Sequence, residues 1–150
     1  MIQGIHHTAI STGDLDRAVN FYTRTLGFEL ISRFHWDTNS TVADKITGLQ
    51  SSAAEAAMLK LGNAFLELFQ YSSPDARPAP SMRPVCDHVI THLALQVSDI
   101  EAEHQRLADA GMFFHCPPGE QIRAIYGRDP DGNVVELMEV ADNSPMALDI

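Results

Sequence analysis

The chain has 150 residues, 45% of them hydrophobic and 20% charged, which suits one globular domain with its own core and excludes wholesale disorder. Twenty Asp and Glu stand against ten Lys and Arg, a formal net charge of −10, and no basic cluster is present, so a nucleic-acid partner is excluded. No apolar run approaches the ~18 residues of a membrane span, and Met1 to His7 lacks the basic and apolar pattern of a secretory leader. Cys86 and Cys116 have no CxxC spacing. Together these features predict a cytoplasmic protein with reduced thiols.

In chain order, the pattern predicts a strand over about 4–12, then a helix over about Leu15 to Leu26. Asp14 is placed as its N-cap, and Gly27 as the left-handed residue that ends it. Strands follow over about 28–35, 56–61 and 64–71, with polar, small-residue-rich His35 to Ala54 between the first two and a Gly62-Asn63 turn between the last two. Residues 72–84 carry four prolines and read as a linker. Beyond it the order recurs: a strand over about 89–97, Asp99 as N-cap, a helix over about Ile100 to Ala110, and Gly111. Strands over about 112–115, 121–127 and 133–140 complete it, and 141–150 is a tail able to fray or to dock on a partner chain.

The recurrence is a sequence repeat. His7-Thr-Ala-Ile leads to Asp14-Leu15, and His92-Leu-Ala-Leu leads to Asp99-Ile100, 85 residues later. Gly62-Asn63 precedes Leu66-Glu67-Leu68 as Gly132-Asn133 precedes Val135-Glu136-Leu137. Module 1 is about 1–72 and module 2 about 85–140, within a single domain over 1–150. Module 1 carries about 16 extra residues, by the longer His-to-Glu interval, 60 against 44. The natural place for them is His35 to Ala54.

A histidine opens each module and a glutamate nearly closes it. Two imidazoles and two carboxylates suit a divalent first-row metal with positions left for substrate. If the modules are related by a pseudo-twofold, His7, Glu67, His92 and Glu136 can point to one centre. A single glutamate among apolar residues is as readily a solvent-facing strand residue, and a single histidine a packed one. The fourfold coincidence at matched positions favours the metal.

These segments, with Phe21-Tyr22, Leu26-Gly27-Phe28 and Asp129-Pro130-Asp131-Gly132-Asn133, resemble the vicinal oxygen chelate superfamily of glyoxalase I, methylmalonyl-CoA epimerase, extradiol dioxygenases and bleomycin resistance proteins. The resemblance covers nearly the whole chain. It implies an α+β fold of two tandem βαβββ modules, forming a cupped mixed sheet around a metal held by His7, Glu67, His92 and Glu136. It also implies a glyoxalase I type lyase or isomerase, with proton transfer α to a carbonyl through a metal-bound enediolate. Glu136 is the first choice of base and Glu67 the second. Ni, Co, Zn or Mn would serve that reaction. The alternatives are an Fe(II) ring-cleaving dioxygenase using His7, His92 and Glu136, or a metal-free small-molecule binder. The substrate would carry a carbonyl or vicinal oxygens, and the assembly would be a homodimer. The 13-residue linker, spanning ~30 Å or more when extended, permits the metal site to lie within one chain or between two.

Further candidates are weighed beside these. Arg33, Arg123 and Arg128 are either anion holders or solvated strand-edge residues. Trp36, Phe69, Tyr71 and Tyr126 either line an apolar pocket or belong to the core. His88, four residues before His92, is either an outer base sharing its face on a strand or a surface histidine next to Asp87. Gly127, if it faces inward, would enlarge the cup. In the Asp129 to Asn133 turn, Pro130 fixes φ, and Asp131, Gly132 and Asn133 are read as tolerating left-handed backbone.

Overall fold

Alternation along the last strand of each module sets the architecture. In β4, Ala64–Ser73, Leu66 and Leu68 are buried while Phe65, Glu67, Phe69 and Tyr71 point to the opposite face and are only partly covered. In β8, Val134–Glu139, Val135 and Leu137 are buried while Glu136 and Met138 point the other way. A helix covers the buried face in each case. The computed structural model describes residues 1–78, 80 and 82–149 and divides into two compact units, Met1–Pro78 and Ala79–Ile150. Ala79, Ser81 and Ile150, which the sequence places in linker and tail, lie outside the described residues.

The first unit contains β1 (His7–Ser11), α1 (Leu15–Asn20) continued by a π-helical turn (Phe21–Thr25), β2 (Glu29–Trp36), α2 (Thr41–Thr47), β3 (Ala53–Leu61) and β4. Its strands lie in the order β1-β4-β3-β2, with β1 parallel to β4 and the other pairs antiparallel. Asp14 caps α1 by accepting from Arg17 N at 2.9 Å, and Gly27 takes φ 80° where the helical segment ends. Leu15, Ala18, Val19 and the fully buried Tyr22 pack on the sheet face formed by Ala57, Leu59, Leu66 and Leu68.

The second unit contains β5 (His92–Val97), α3 (Ile100–Asp109), β6 (Phe113–Phe114), β7 (Ala124–Arg128) and β8, in the order β5-β8-β7-β6 with the same mixed polarity. Asp99 caps α3 through Ala102 N at 2.9 Å, and Gly111 takes φ 91°. The architecture is therefore α+β, two tandem βαβββ modules. No helix among the described residues is long and apolar enough to cross a membrane.

The structure departs from the sequence reading in several places. The inserted stretch carries a helix that the sequence reading did not place: Ser40 Oγ accepts from Ala43 N, Gly48 takes φ 71°, and α2 forms between them. The first helix widens to a π-turn from Phe21, with Leu26 N donating to Phe21 O. His88 precedes β5, so it shares no strand face with His92. Gly127 pairs with buried Val135 and so faces the core. A Cβ there would collide with Met112 Cε and lie 2.9 Å from the Phe114 ring. The glycine makes room for these side chains and does not widen the Glu136 face.

In the 129–133 turn only Gly132 is left-handed, at φ 85°. The turn is instead built around buried Asp129. Its Oδ1 accepts from Asp131 N (3.0 Å) and Asn133 N (2.8 Å), and its Oδ2 accepts from Asn133 Nδ2 (2.9 Å). Asp129→Ala is expected to lower stability by about 2 kcal/mol, through several orphaned donors at once. Urea unfolding checks this, and an unchanged midpoint contradicts the assignment.

Candidate metal site

The register places each histidine against its glutamate. In the first unit Ala9 pairs with Glu67, and in the second Ala94 pairs with Glu136. The histidine stands two residues before the alanine in each strand, so it is the diagonal neighbour of the glutamate on the same face. The alanine, present in both repeats, leaves the space across which they meet. His7 Nε2 lies 3.1 Å from Glu67 Oε2, and His92 Nε2 lies 3.1 Å from Glu136 Oε2. Side-chain exposure matches as well, 37% and 32% for the histidines and 13% and 15% for the glutamates. The imidazoles are open to a ligand while the carboxylates are held.

The other ring nitrogen is engaged in both. His7 Nδ1 shares a hydrogen bond of 2.9 Å with His6 Nδ1, and His92 Nδ1 shares one of 2.8 Å with Thr91 Oγ1. Holding Nδ1 fixes each ring with Nε2 toward the carboxylate. A third equivalence was not visible in the sequence. Gln70 Oε1 accepts from Leu15 N, and Glu139 Oε2 accepts from Ile100 N, both at 2.8 Å. Each acceptor stands three residues after the glutamate, on the helix side, and ties the first turn of the helix to the strand.

Each unit thus holds one pair. Among the described residues no three His, Cys, Asp or Glu side chains gather into a group able to hold a metal ion.

The surroundings differ between the units. Beside Glu67, Phe34, Trp36, Phe69 and Tyr71 form one cluster with ring centroids 5.8–6.4 Å apart. Burial, and secondarily the Glu67 charge, raise the Tyr71 phenol above its ordinary pKa, so it stays protonated and able to donate. Beside Glu136 stands Tyr126, its cross-strand partner, with its ring 5.2 Å from that of His92. His115 lies 6.2 Å from Tyr126, and burial, then the Arg128 charge, hold its pKa low.

The candidate anion holders are committed elsewhere. Arg33 pairs with Asp16 at 2.7 Å. Arg123 bridges Glu101 and Glu139. Buried Arg128 donates to His115 Nε2 (3.1 Å), Gly132 O (2.8 Å) and Arg83 O (3.0 Å).

Each βαβββ unit thus repeats one His–Glu approach, and the chain as a whole matches a known family. The profile of the Glyoxalase/Bleomycin resistance protein/Dioxygenase superfamily matches residues 4–137. The chain belongs to that superfamily. It is 30% identical to a 2-epi-5-epi-valiolone epimerase from an Actinomyces species, over 94% of this chain and 81% of the relative. Among solved structures it is similar to a glyoxalase family protein from Bacillus cereus, with TM-score 0.82, 23% identity, and coverage of 93% of this chain and 95% of that one. It is also similar to the fosfomycin resistance protein FosX from Listeria monocytogenes, solved as a variant with Mn(II) and a dihydroxypropylphosphonic acid. There the TM-score is 0.60 and the identity 19%, covering 92% of this chain and 93% of that one.

Proposed function

We propose that the protein is a metal-dependent isomerase or epimerase, in which His7, Glu67, His92 and Glu136 together hold one divalent cation. The observation that carries this reading is the His Nε2 to Glu Oε2 approach of 3.1 Å, built twice at equivalent register positions. Two neutral imidazoles and two carboxylates form a mixed donor set suited to Mn, Co, Ni or Zn. His6 and Thr91 hold the ligand rings by their Nδ1 atoms.

When bound, the cation supplies a Lewis acid for the carbonyl oxygen of the substrate, easing the charge that builds there as the α-proton leaves. Glu136 takes that proton, and the electron pair moves onto the oxygen. Return of the proton to the neighbouring carbon isomerises the substrate. Delivery of a proton to the opposite face of the same carbon, from a Glu67 that takes one from solvent while Glu136 gives its own up to solvent, epimerises it. The similarity to the valiolone epimerase favours the second outcome. The glyoxalase I type lyase is the same proton transfer ended by return to the neighbouring carbon.

The test is elemental analysis of protein purified without a histidine tag. Wild type is expected to carry one divalent ion per set of four ligands, and His7→Ala and His92→Ala are each expected to lose most of it. Full occupancy in both variants overturns the reading.

A further inference from the structure

The four rings beside Glu67 are placed by register, not by chance packing. Glu67, Phe69 and Tyr71 alternate along one face of β4. Phe34, Ala56 and Phe69 form one cross-strand row, and Trp36, Ala54 and Tyr71 form the next. An alanine in the middle of each row lets the rings on either side meet over it. They pack edge to face, at 86°, 72° and 80° for Phe34–Phe69, Trp36–Phe69 and Trp36–Tyr71. None is fully buried, and Phe34 is 41% exposed.

One ring is locked from outside the sheet. Trp36 Nε1 donates to Ser52 Oγ at 3.0 Å, and the Ser52 hydroxyl, fully buried, donates to Asp44 Oδ1 at 2.6 Å. Asp44 also accepts from the Ser51 and Ser52 N–H groups, at 2.8 Å each. These contacts hold Ser51 in its left-handed conformation, φ 51°. Asp44 belongs to α2, the helix within the extra residues of the first module.

Charge narrows what these rings can receive. Arg33 pairs with the buried Ala57 position and so lies on the α1 face. Among the described residues of β1 to β4, the one Lys or Arg on the Glu67 face is Lys60, whose Nζ sits 5.7 Å from the Phe65 ring. Lys60 lies in the Phe65 row and not beside the rings, so an anionic substituent there meets no Lys or Arg of these strands, whereas an uncharged ring gains dispersion and edge contacts from four aromatic neighbours.

We propose that Phe34, Trp36, Phe69 and Tyr71 form the subsite for an uncharged ring of the substrate, and that the inserted helix positions it through Asp44, Ser52 and Trp36. The inference rests on the reading of Glu67 as a metal ligand, so metal binding is measured first and separately. Trp36 is the only tryptophan in the chain, so intrinsic fluorescence reports on the subsite directly.

Protein loaded with Mn(II) is titrated with acetohydroxamate and with benzohydroxamate, which present the same pair of chelating oxygens and differ in the ring. Each affinity is referred to that for free Mn(II). Wild type is expected to prefer benzohydroxamate by about tenfold, with quenching of Trp36 emission. Trp36→Leu is expected to bring the preference near unity while Mn(II) and acetohydroxamate affinities stay unchanged. Asp44→Ala, which keeps the indole, is expected to lower its fluorescence anisotropy and reduce the preference in part. No ring preference in wild type, or an undiminished preference in folded Asp44→Ala, overturns the subsite. Failure to bind Mn(II) at all sinks the metal reading, and this inference with it.

Discussion

Glu136→Gln is expected to lower turnover by ~10²–10⁴ while leaving most of the bound metal in place. An amide oxygen still donates to a cation but takes no proton from carbon. Glu136 Oε2 lies 3.1 Å from His92 Nε2 on the face opposite buried Val135 and Leu137, so the substitution disturbs neither a core contact nor a helix tie. The measurement is uptake of deuterium from D2O at the α-carbon of a bound ketone, alongside metal content. A large loss of exchange with metal retained assigns the proton transfer to Glu136. Unchanged exchange moves the base to Glu67, and the parallel Glu67→Gln variant then shows the loss.

The second large effect is restoration of activity in mixed dimers. Each unit holds a single His–Glu pair, so a four-ligand site needs a pair from another unit. Closed twofold assembly offers the partner chain as its source, and β1 and β5, the edge strands that carry the histidines, offer the surface to be covered. Light scattering is expected to give a dimer, and a mass of 16.5 kDa contradicts this. His7→Ala and Glu136→Ala chains are each expected to be nearly inactive alone. If each site combines the first unit of one chain with the second unit of the other, a mixed dimer contains one intact site, and random reassortment restores about a quarter of wild-type activity. If each chain completes its own site, every site carries a lesion and nothing returns.

The repeat made the fold legible. His7 and His92, Asp14 and Asp99, Gly27 and Gly111 stand at matched spacings, and those spacings alone place the strand, cap and helix of each module. The recurrence of one histidine and one glutamate in each module was legible for the same reason. Their approach within a module was not, because the role of Ala9 and Ala94 depends on which residue faces Glu67 and Glu136 across a parallel ladder. Gly127 shows the cost of a small shift: one residue along β7 separates the Tyr126 side, which faces Glu136, from the core side. Asp129 was read only through the φ tolerance of its neighbours, whereas its carboxylate organises the turn. Helix α2 escaped notice because seven residues with no buried face present no apolar period. Only Ser40 and Gly48 announced it.

The engagement of Arg33, Arg123 and Arg128 has a kinetic corollary. A chain of net charge −10 in which these three arginines are tied to its own acids and carbonyls presents an approaching molecule with a repulsive field if that molecule is an anion. Capture of an anionic ligand should then quicken as added salt shortens the ~10 Å range of that field, whereas capture of a neutral ligand should ignore ionic strength.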